Sequence, residues 1–125
     1  MAQAGSATQL EAKSFDSPDE VRPFEGKGHV DVVVVGGHEV SRNHYEPGWT
    51  WSANVKPIAQ TDSCEIFHLG YCVAGHMKVT MNDGTELMIG PGDAAAVPPG
   101  HDAEVVGDEP YIWLDFGAIG DFAKR

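Results

Sequence analysis

Apolar and polar residues alternate along the chain in short runs, and corners rich in glycine and proline separate these runs. In residues 111–116, Tyr111, Trp113 and Asp115 fall on one side of an extended chain and the residues between them fall on the other. Residues 29–35 are instead an almost continuous run of valine, which predicts a strand covered on both faces. No segment has the length and the periodicity of a long helix. The pattern therefore predicts an all-β protein.

The corners divide the chain into short strands at a spacing of about ten residues, which is typical of a closed barrel, a jelly roll or a sandwich. The Asn-Asp-Gly sequence of residues 82–84 predicts a hairpin, because the glycine supplies the positive φ of a tight turn. Residues 17–20 are Ser, Pro, Asp and Glu, an order typical of the start of a helix. They predict one turn of helix near the N-terminus. A loop is expected at residues 57–63. The predicted strands are residues 29–35, 38–45, 49–56, 64–74, 76–81, 85–89, 94–97, 101–106 and 111–116.

The length of 125 residues is that of one domain. Residues 1–13 are small and polar and predict a flexible N-terminal segment, which leaves residues 14–125 for the barrel. The chain has 8 Lys and Arg against 19 Asp and Glu, a formal net charge of -11. Such an acidic surface repels phosphate backbones and anionic lipids, so we expect neither a nucleic-acid nor a membrane partner.

The compartment is predicted from the start of the chain and from its two cysteines. Residues 1–10 have neither the basic start nor the apolar run of a secretory signal. If Cys64 and Cys72 share one strand, eight residues separate them by about 26 Å, too far for a disulfide bond. Two free thiols and no export signal predict a soluble cytoplasmic protein.

The glycine and proline corners resemble the two sequence motifs of the cupin family of small jelly-roll barrels. The first motif places Gly, two His, Glu and Gly at fixed spacings, and the second places Gly, Pro, Gly and His. Here Gly48 and Gly75 bound the first motif, and Gly92, Pro98 and Gly100 carry the second. The resemblance implies a single cupin β-barrel, as in small single-domain bacterial cupins, and a homodimer formed by exchanged strands or by sheets packed edge to edge.

The metal ligands of the family do not carry over residue by residue. Cupin metal centres usually use three His and one Glu, and the matching positions here are Asn54, Lys56, His68 and Ala103. Alanine cannot bind a metal, and a lysine ammonium repels a cation. A metal centre must therefore be rebuilt from other side chains.

The alternation of side chains between the two faces of a strand indicates which residues could form a metal centre. If position 103 faces the cavity, His101 faces it too, and Cys64 shares a face with His68. His68, His101 and Cys64 are therefore the predicted metal ligands. They would suit one divalent transition metal, such as zinc, iron, nickel, manganese or copper, better than magnesium.

Three further residues are predicted to contact a small-molecule ligand in the barrel. Asn54 lies at a position that faces inward in the motif, and Lys56 could anchor a carboxylate. Trp51 could cap the mouth of a pocket, although paired aromatic residues on a strand usually belong to a core or an interface.

These observations leave three functions open. The first is a binding module that holds a small molecule or a weakly bound metal, with a regulatory role. The second is a metal-dependent isomerase, epimerase, decarboxylase or dioxygenase built around His68 and His101. The third is a non-catalytic dimer whose barrel is filled by its own side chains.

Overall fold

Antiparallel strands are the main secondary structure of the computed structural model, which describes residues 9–125. Two four-residue helices, α1 (Trp51–Asn54) and α2 (Lys56–Ala59), lie between the third and fourth strands. The strands are β1 (Glu20–Pro23), β2 (Gly28–Val35), β3 (His38–Tyr45), β4 (His68–Ala74), β5 (His76–Met81), β6 (Glu86–Ile89), β7 (Ala94–Val97), β8 (His101–Val106) and β9 (Tyr111–Asp115).

The strands form two sheets that enclose one core. The larger sheet has the strand order β1-β2-β3-β9-β4-β7, and the smaller one has the order β6-β5-β8. Two isolated bridges, Thr50 with Glu104 and Cys64 with His101, tie the segment between β3 and β4 to strand β8 of the smaller sheet. The prediction of an all-β barrel is confirmed.

Strand β2 is covered on both faces over its central residues, as its valine run predicts. Val30 and Val32 point into the core, and Asp31 and Val33, which alternate with them, are buried too. The N-terminal segment contributes to the outer cover, because Arg42, opposite Asp31, bonds both Asp31 and Asp16.

The strand predicted at residues 49–56 is wrong, because this segment forms the two short helices. Thr50 is extended and its side chain accepts a hydrogen bond from Ala53 N–H, which starts α1. Pro57 lies in the first turn of α2, where its missing N–H costs nothing. Part of the loop predicted at residues 57–63 is therefore helical.

The helical turn predicted near residues 17–20 is wrong as well. Residues 15–17 form a turn, and Glu20 begins strand β1, which pairs with β2 from Glu20 opposite Val32 to Pro23 opposite His29. The predicted flexible segment 1–13 lies mostly outside the described residues. Within the described part, Glu11 accepts a hydrogen bond from Gly36 N–H.

Both cysteine thiols are free and buried. Cys72 lies in β4, whereas Cys64 precedes that strand, which begins at His68 rather than at the predicted residue 64. Within residues 9–125, no helix has the length and apolar character needed to span a lipid bilayer.

Candidate metal centre

Three buried side chains from different parts of the fold converge inside the barrel: Cys64, His68 and His101. Each offers one ligand atom, and these atoms all lie within 4.8 Å of one another. His68 is the first residue of β4, and His101 is the first residue of β8. The structure thus brings together the three residues that alternation predicts.

Cys64 reaches the cluster through backbone pairing with β8. Its N–H donates to the carbonyl of His101 at 2.8 Å, and its own carbonyl accepts from Gly100 N–H at 2.7 Å. This bridge fixes the thiol beside His101, although Cys64 is not in the same strand as His68. The Cys64 Sγ atom lies 3.9 Å from His68 Nε2.

The other nitrogen of His68 is bound to a buried carboxylate. His68 Nδ1 lies 2.6 Å from Asp115 Oδ2, across the pairing of β4 with β9. Asp115 is fully buried and accepts two further hydrogen bonds, from Trp113 Nε1 and from Gly117 N–H, both at 2.9 Å. The carboxylate is therefore held in place and leaves His68 Nε2 free to face Cys64.

His101 is oriented in a comparable way by the backbone. Its Nδ1 donates to the carbonyl of Pro98 at 2.7 Å, across the proline-glycine corner that precedes β8. A carbonyl can only accept, so this bond places the proton on Nδ1 and leaves Nε2 with its lone pair. Both histidines thus present Nε2 as the available nitrogen.

The charges within the cluster favour a thiolate. Burial alone would raise the pKa of Cys64, but hydrogen bonds and charges from His101 and His68 outweigh it and lower that pKa to about 6. Burial would lower the pKa of His68, and the bonds to Asp115 and Cys64 outweigh it and raise that pKa to about 9. At neutral pH the metal-free pair is a thiolate beside an imidazolium.

These residues fit a transition metal on two independent grounds. A thiolate and two imidazoles are the donors that zinc and similar metals use, and three protein ligands leave a fourth position open. In metalloproteins a ligating histidine almost always donates its other N–H to a carboxylate or a carbonyl. His68 has Asp115 in that role, and His101 has the carbonyl of Pro98.

An inner cavity of about 40 Å³ adjoins His68 and His101. By the rule that one water needs about 10–15 Å³, it holds a few waters and no organic molecule. Trp49 and Trp51 line this cavity, and the indole N–H of each is buried without a hydrogen-bond acceptor among the described residues.

A second, larger cavity of about 480 Å³ lies outside the cluster, and we call it the vestibule. Helices α1 and α2, residues 61–66 and residues 121–125 form its walls, and Cys64 is one of the lining residues. Trp51 and Phe122 line both the vestibule and the inner cavity. These two rings therefore lie between the two spaces.

The C-terminal segment holds Phe122 over the cluster. The Phe122 ring is buried and packs edge-on against His68, with ring centroids 4.8 Å apart. Buried Arg22 donates from Nη1 to the carbonyls of Gly120 and Phe122, at 2.8 and 3.0 Å. The buried guanidinium of Arg22, in β1, thus fixes residues 120–122 beside the site.

The remaining predicted residues lie elsewhere. The amide of Asn54 accepts from Thr50 N–H at 3.0 Å and donates to the carbonyl of Glu25 at 2.7 Å, so it fixes the turn around α1. Lys56 is exposed on α2. Neither residue lines the inner cavity or the vestibule, whereas Trp51 lines both.

The sequence pattern did not indicate two residues of the site, Asp115 and Phe122. Asp115 shares one side of its strand with Tyr111 and Trp113, and a carboxylate on this aromatic side was the available signal. Nothing in the local pattern marks Phe122, because its contact with His68 joins positions 54 residues apart, which the numbering alone does not relate.

Comparison with known proteins shows the fold. No protein-family model and no curated protein matches the chain. Among solved structures, it is similar to a conserved protein with a double-stranded β-helix domain from Klebsiella pneumoniae, at 24% identity and a TM-score of 0.55 over 90% of this chain and 95% of that one. A predicted oxalate decarboxylase from Thermotoga maritima matches at 17% identity and a TM-score of 0.57, over 85% and 96% of the two chains.

A third similar structure belongs to a protein of the cupin superfamily. It is a sugar phosphate isomerase from a cupin superfamily, from Silicibacter pomeroyi, with 21% identity and a TM-score of 0.58 over 84% of this chain and 73% of that one. The protein is thus a small double-stranded β-helix barrel with a buried Cys-His-His cluster that could hold a metal. In particular, it has the cupin fold that its glycine and proline corners predict.

Proposed function

We propose that this protein is a metal-binding cupin-fold protein whose barrel holds one divalent transition metal through Cys64, His68 and His101. The observation that carries the proposal is the fixed partner on the far nitrogen of each histidine, Asp115 for His68 and the Pro98 carbonyl for His101. Any buried histidine needs a partner for its N–H. What points to a metal is that both histidines have such a partner while each also offers a ligand atom within 4.8 Å of the other and of Cys64 Sγ.

The donor set favours zinc. One thiolate and two imidazoles suit zinc best among the metals considered, with copper, nickel and iron also compatible. Manganese prefers oxygen donors and is the least suited. A bound metal would supply Lewis-acid polarisation of an oxygen atom at the open fourth position. The chain itself limits the solvent around the cluster, because the inner cavity has room for only a few waters and is lined largely by apolar and aromatic side chains, Trp51 and Phe122 among them.

The test is the metal content of the purified, untagged protein, by elemental analysis, after separate exposure to zinc, copper, nickel, iron and manganese. We expect about one zinc per chain, and loss of it in the variants Cys64→Ser and His101→Gln. Cys72→Ser is the matched control, because Cys72 is equally buried but donates only to backbone carbonyls of residues 74 and 75.

Far-UV circular dichroism must show that each variant is folded. A folded wild-type protein that takes up none of these metals would overturn the proposal. Full metal content in both Cys64→Ser and His101→Gln would overturn the assignment of the ligands.

A second candidate function is a metal-dependent enzyme, and the vestibule is the observation that favours it. The inner cavity admits only a few waters, but the vestibule of about 480 Å³ is within the range of about 300–1,000 Å³ found for small-molecule sites. It is lined by Cys64 and closed from the inner cavity by Phe122. A small molecule in the vestibule, with an oxygen atom reaching the cluster, would have access to the metal.

The chemistry of the structural neighbours supplies the first substrates to test. The metal-loaded protein would be incubated with oxalate and with a panel of sugar phosphates, and products would be followed by NMR. Formation of formate would support a decarboxylase, and a rearranged sugar would support an isomerase. Binding of a compound in the vestibule without turnover, detected by shifts in the NMR spectrum of the protein, would support the binding module instead.

A further inference from the structure

Strand β3 presents a row of polar side chains to the interior of the barrel. Ser41, Asn43 and Tyr45 alternate with the more exposed residues of this strand, and their exposed fractions are 0%, 0% and 4%. Burying a hydroxyl or an amide costs free energy unless a new hydrogen bond replaces the lost bond to water. None of the three belongs to the Cys-His-His cluster, so metal ligation does not explain why this row is polar.

The three side chains form a hydrogen-bonded ladder that ends at the phenol. Ser41 Oγ donates to Asn43 Oδ1 at 2.7 Å, and Asn43 Nδ2 donates to the phenol oxygen of Tyr45 at 2.8 Å. Because the phenol oxygen accepts in this bond, the hydroxyl proton of Tyr45 is still available. Within residues 9–125 this proton has no acceptor. The ladder thus ends in a buried donor whose partner is not supplied by the described part of the chain.

This donor lies beside the candidate metal centre. Tyr45 lines the inner cavity together with His68 and His101. Its hydroxyl reaches back along β3 to Asn43, in the direction of the position at which β3 pairs with Asp115 of β9. The phenol therefore extends from its own strand towards the carboxylate that holds His68.

Electrostatic interactions agree with this placement and keep the phenol protonated. Burial raises the pKa of Tyr45 well above its usual range, and the hydrogen bond from Asn43 opposes this effect only in part. The negative charges of Asp115 and Cys64 raise the pKa further, so both groups are near enough to act on the hydroxyl. At neutral pH the phenol is therefore a hydrogen-bond donor.

Aromatic packing holds the Tyr45 ring in place. The ring stacks on Phe24, with centroids 5.1 Å apart, and meets Trp49 edge-on at 4.5 Å. Tyr111, its partner across β3 and β9, lines the same cavity, but the phenol of Tyr111 interacts with the thiol of Cys72. Of these two buried phenols, that of Tyr45 is the one directed towards the cluster.

From these observations we propose that Tyr45 donates a hydrogen bond to a hydroxide or another small anion bound at the open position of the metal centre. The proposal rests on the proposed binding of a metal by Cys64, His68 and His101. The inner cavity has room for only a few waters, which limits the ligand to about three heavy atoms. A donor that is fixed in a buried site stabilises negative charge better than water does, because it needs no reorientation. Tyr45 thereby favours an anionic ligand over a neutral one.

Azide binding to the cobalt(II)-loaded protein tests the proposal. Cobalt(II) is a divalent transition metal that suits the same donors as zinc, and a change in its ligands alters its visible spectrum. Tyr45→Phe removes only the hydroxyl, and we expect it to weaken azide binding about tenfold or more, as loss of a hydrogen bond to a charged group does. Zinc affinity, measured by competition with a chelator, should change little, because Tyr45 is not a metal ligand.

Tyr111→Phe is the matched control, because it removes the second phenol of the same cavity wall and leaves the ladder intact. It should bind azide as the wild-type protein does, and circular dichroism must show both variants folded. A measurement on the wild-type protein needs no variant. The infrared stretching band of the bound azide should differ between H2O and D2O, since an exchangeable hydrogen is bonded to it, and an unchanged band overturns the proposal.

The outcomes separate the role of Tyr45 from the metal centre itself. Equal azide affinity in the wild-type protein and Tyr45→Phe, with cobalt bound in both, overturns the role of Tyr45 and leaves the metal centre standing. An equal loss of affinity in Tyr111→Phe, or a wild-type cobalt spectrum that azide does not change, overturns that role as well. A folded wild-type protein that binds neither cobalt nor zinc overturns the metal centre and this proposal together.

Discussion

The imidazole of His68 and the carboxylate of Asp115 meet at 2.6 Å inside the barrel, although 47 residues separate them in the sequence. Strands β4 and β9 bring them together, with Gly70 of β4 directly opposite Asp115. The pair connects the candidate metal centre to the sheet that supports it, because Asp115 is also held by Trp113 and Gly117.

Replacing this carboxylate by an amide should weaken metal binding without unfolding the barrel. Asp115→Asn keeps the shape of the side chain but removes the charge that orients His68, and loss of such a partner typically reduces metal affinity about 10- to 100-fold. Competition with a fluorescent zinc chelator measures the change. Asp108→Asn, at an exposed position, is the control. An affinity for Asp115→Asn within about twofold of the wild-type value would show that the carboxylate does not support the centre.

Metal affinity should depend on pH in two regimes. In the metal-free protein, between the Cys64 pKa of about 6 and the His68 pKa of about 9, the thiolate is ready to bind and only His68 must lose a proton. The affinity should therefore rise about tenfold for each pH unit over this range. Below pH 6 the thiol is protonated as well, so the affinity should fall more steeply. Competition titrations from pH 5 to 8.5 would show the change of slope, and a single slope throughout would contradict it.

The same two groups should leave little pH dependence in the stability of the metal-free protein. From about pH 6.5 to 9, the folded protein holds one proton of the pair, on His68, and the unfolded chain also holds one, on the cysteine thiol. The raised pKa of His68 favours folding towards low pH, and the lowered pKa of Cys64 favours it towards high pH, so the two contributions cancel. The urea midpoint of the metal-free wild-type protein should therefore stay constant across this range, whereas that of Cys64→Ser, which keeps only the raised pKa of His68, should fall as the pH rises. A wild-type midpoint that changes with pH as that of Cys64→Ser does would contradict the cancellation.

Gly70 should be indispensable for the approach of β4 to β9. A Cβ atom at this position would lie 1.8 Å from the carbonyl oxygen of Leu114 and 2.9 Å from the Trp113 ring. Gly70→Ala must therefore force the two strands apart, and we expect a loss of about 3 kcal/mol or more in the free energy of unfolding. The control is Leu69→Ala, next to it on the outer side. A urea-unfolding curve for Gly70→Ala that matches the control would contradict the expected clash.

Phe122 should control how fast a bound metal leaves. Phe122→Ala joins the inner cavity to the vestibule, so a chelator such as EDTA should strip zinc at least about tenfold faster than from the wild-type protein. Phe15→Ala removes a ring of the same size on the far side of the larger sheet and serves as the control. Equal rates of zinc loss in the three proteins would show that Phe122 is not a barrier.

Much of the fold follows from the corners in the sequence. Four strands, β3, β5, β7 and β8, begin and end at the residues that the glycine and proline pattern predicts. Residues 49–56 are predicted as a strand because Trp49 and Trp51 alternate as they would on one. The side chain of Thr50 instead caps a helix, and both tryptophans still point into the core.

The three residues of the candidate centre follow from the sequence, but the backbone contacts that bring them together do not. Alternation placed Cys64 with His68 on the assumption of one continuous strand, whereas β4 begins only at His68. Cys64 reaches the cluster by pairing with His101 instead. Contacts of this kind depend on which strands become neighbours, and a local sequence pattern does not encode that choice.

Phe122 lies in a segment without strand or helix, and its ring forms part of the wall around the cluster. Arg22 holds this segment through the carbonyls of Gly120 and Phe122, and Glu25 holds it through the ion pair with Arg125. A protease that cuts between residues 117 and 121 would therefore release the ring that shields His68 while the sheets are still intact. Limited proteolysis followed by mass spectrometry would detect such a cut as a loss of protection at the metal centre rather than as unfolding.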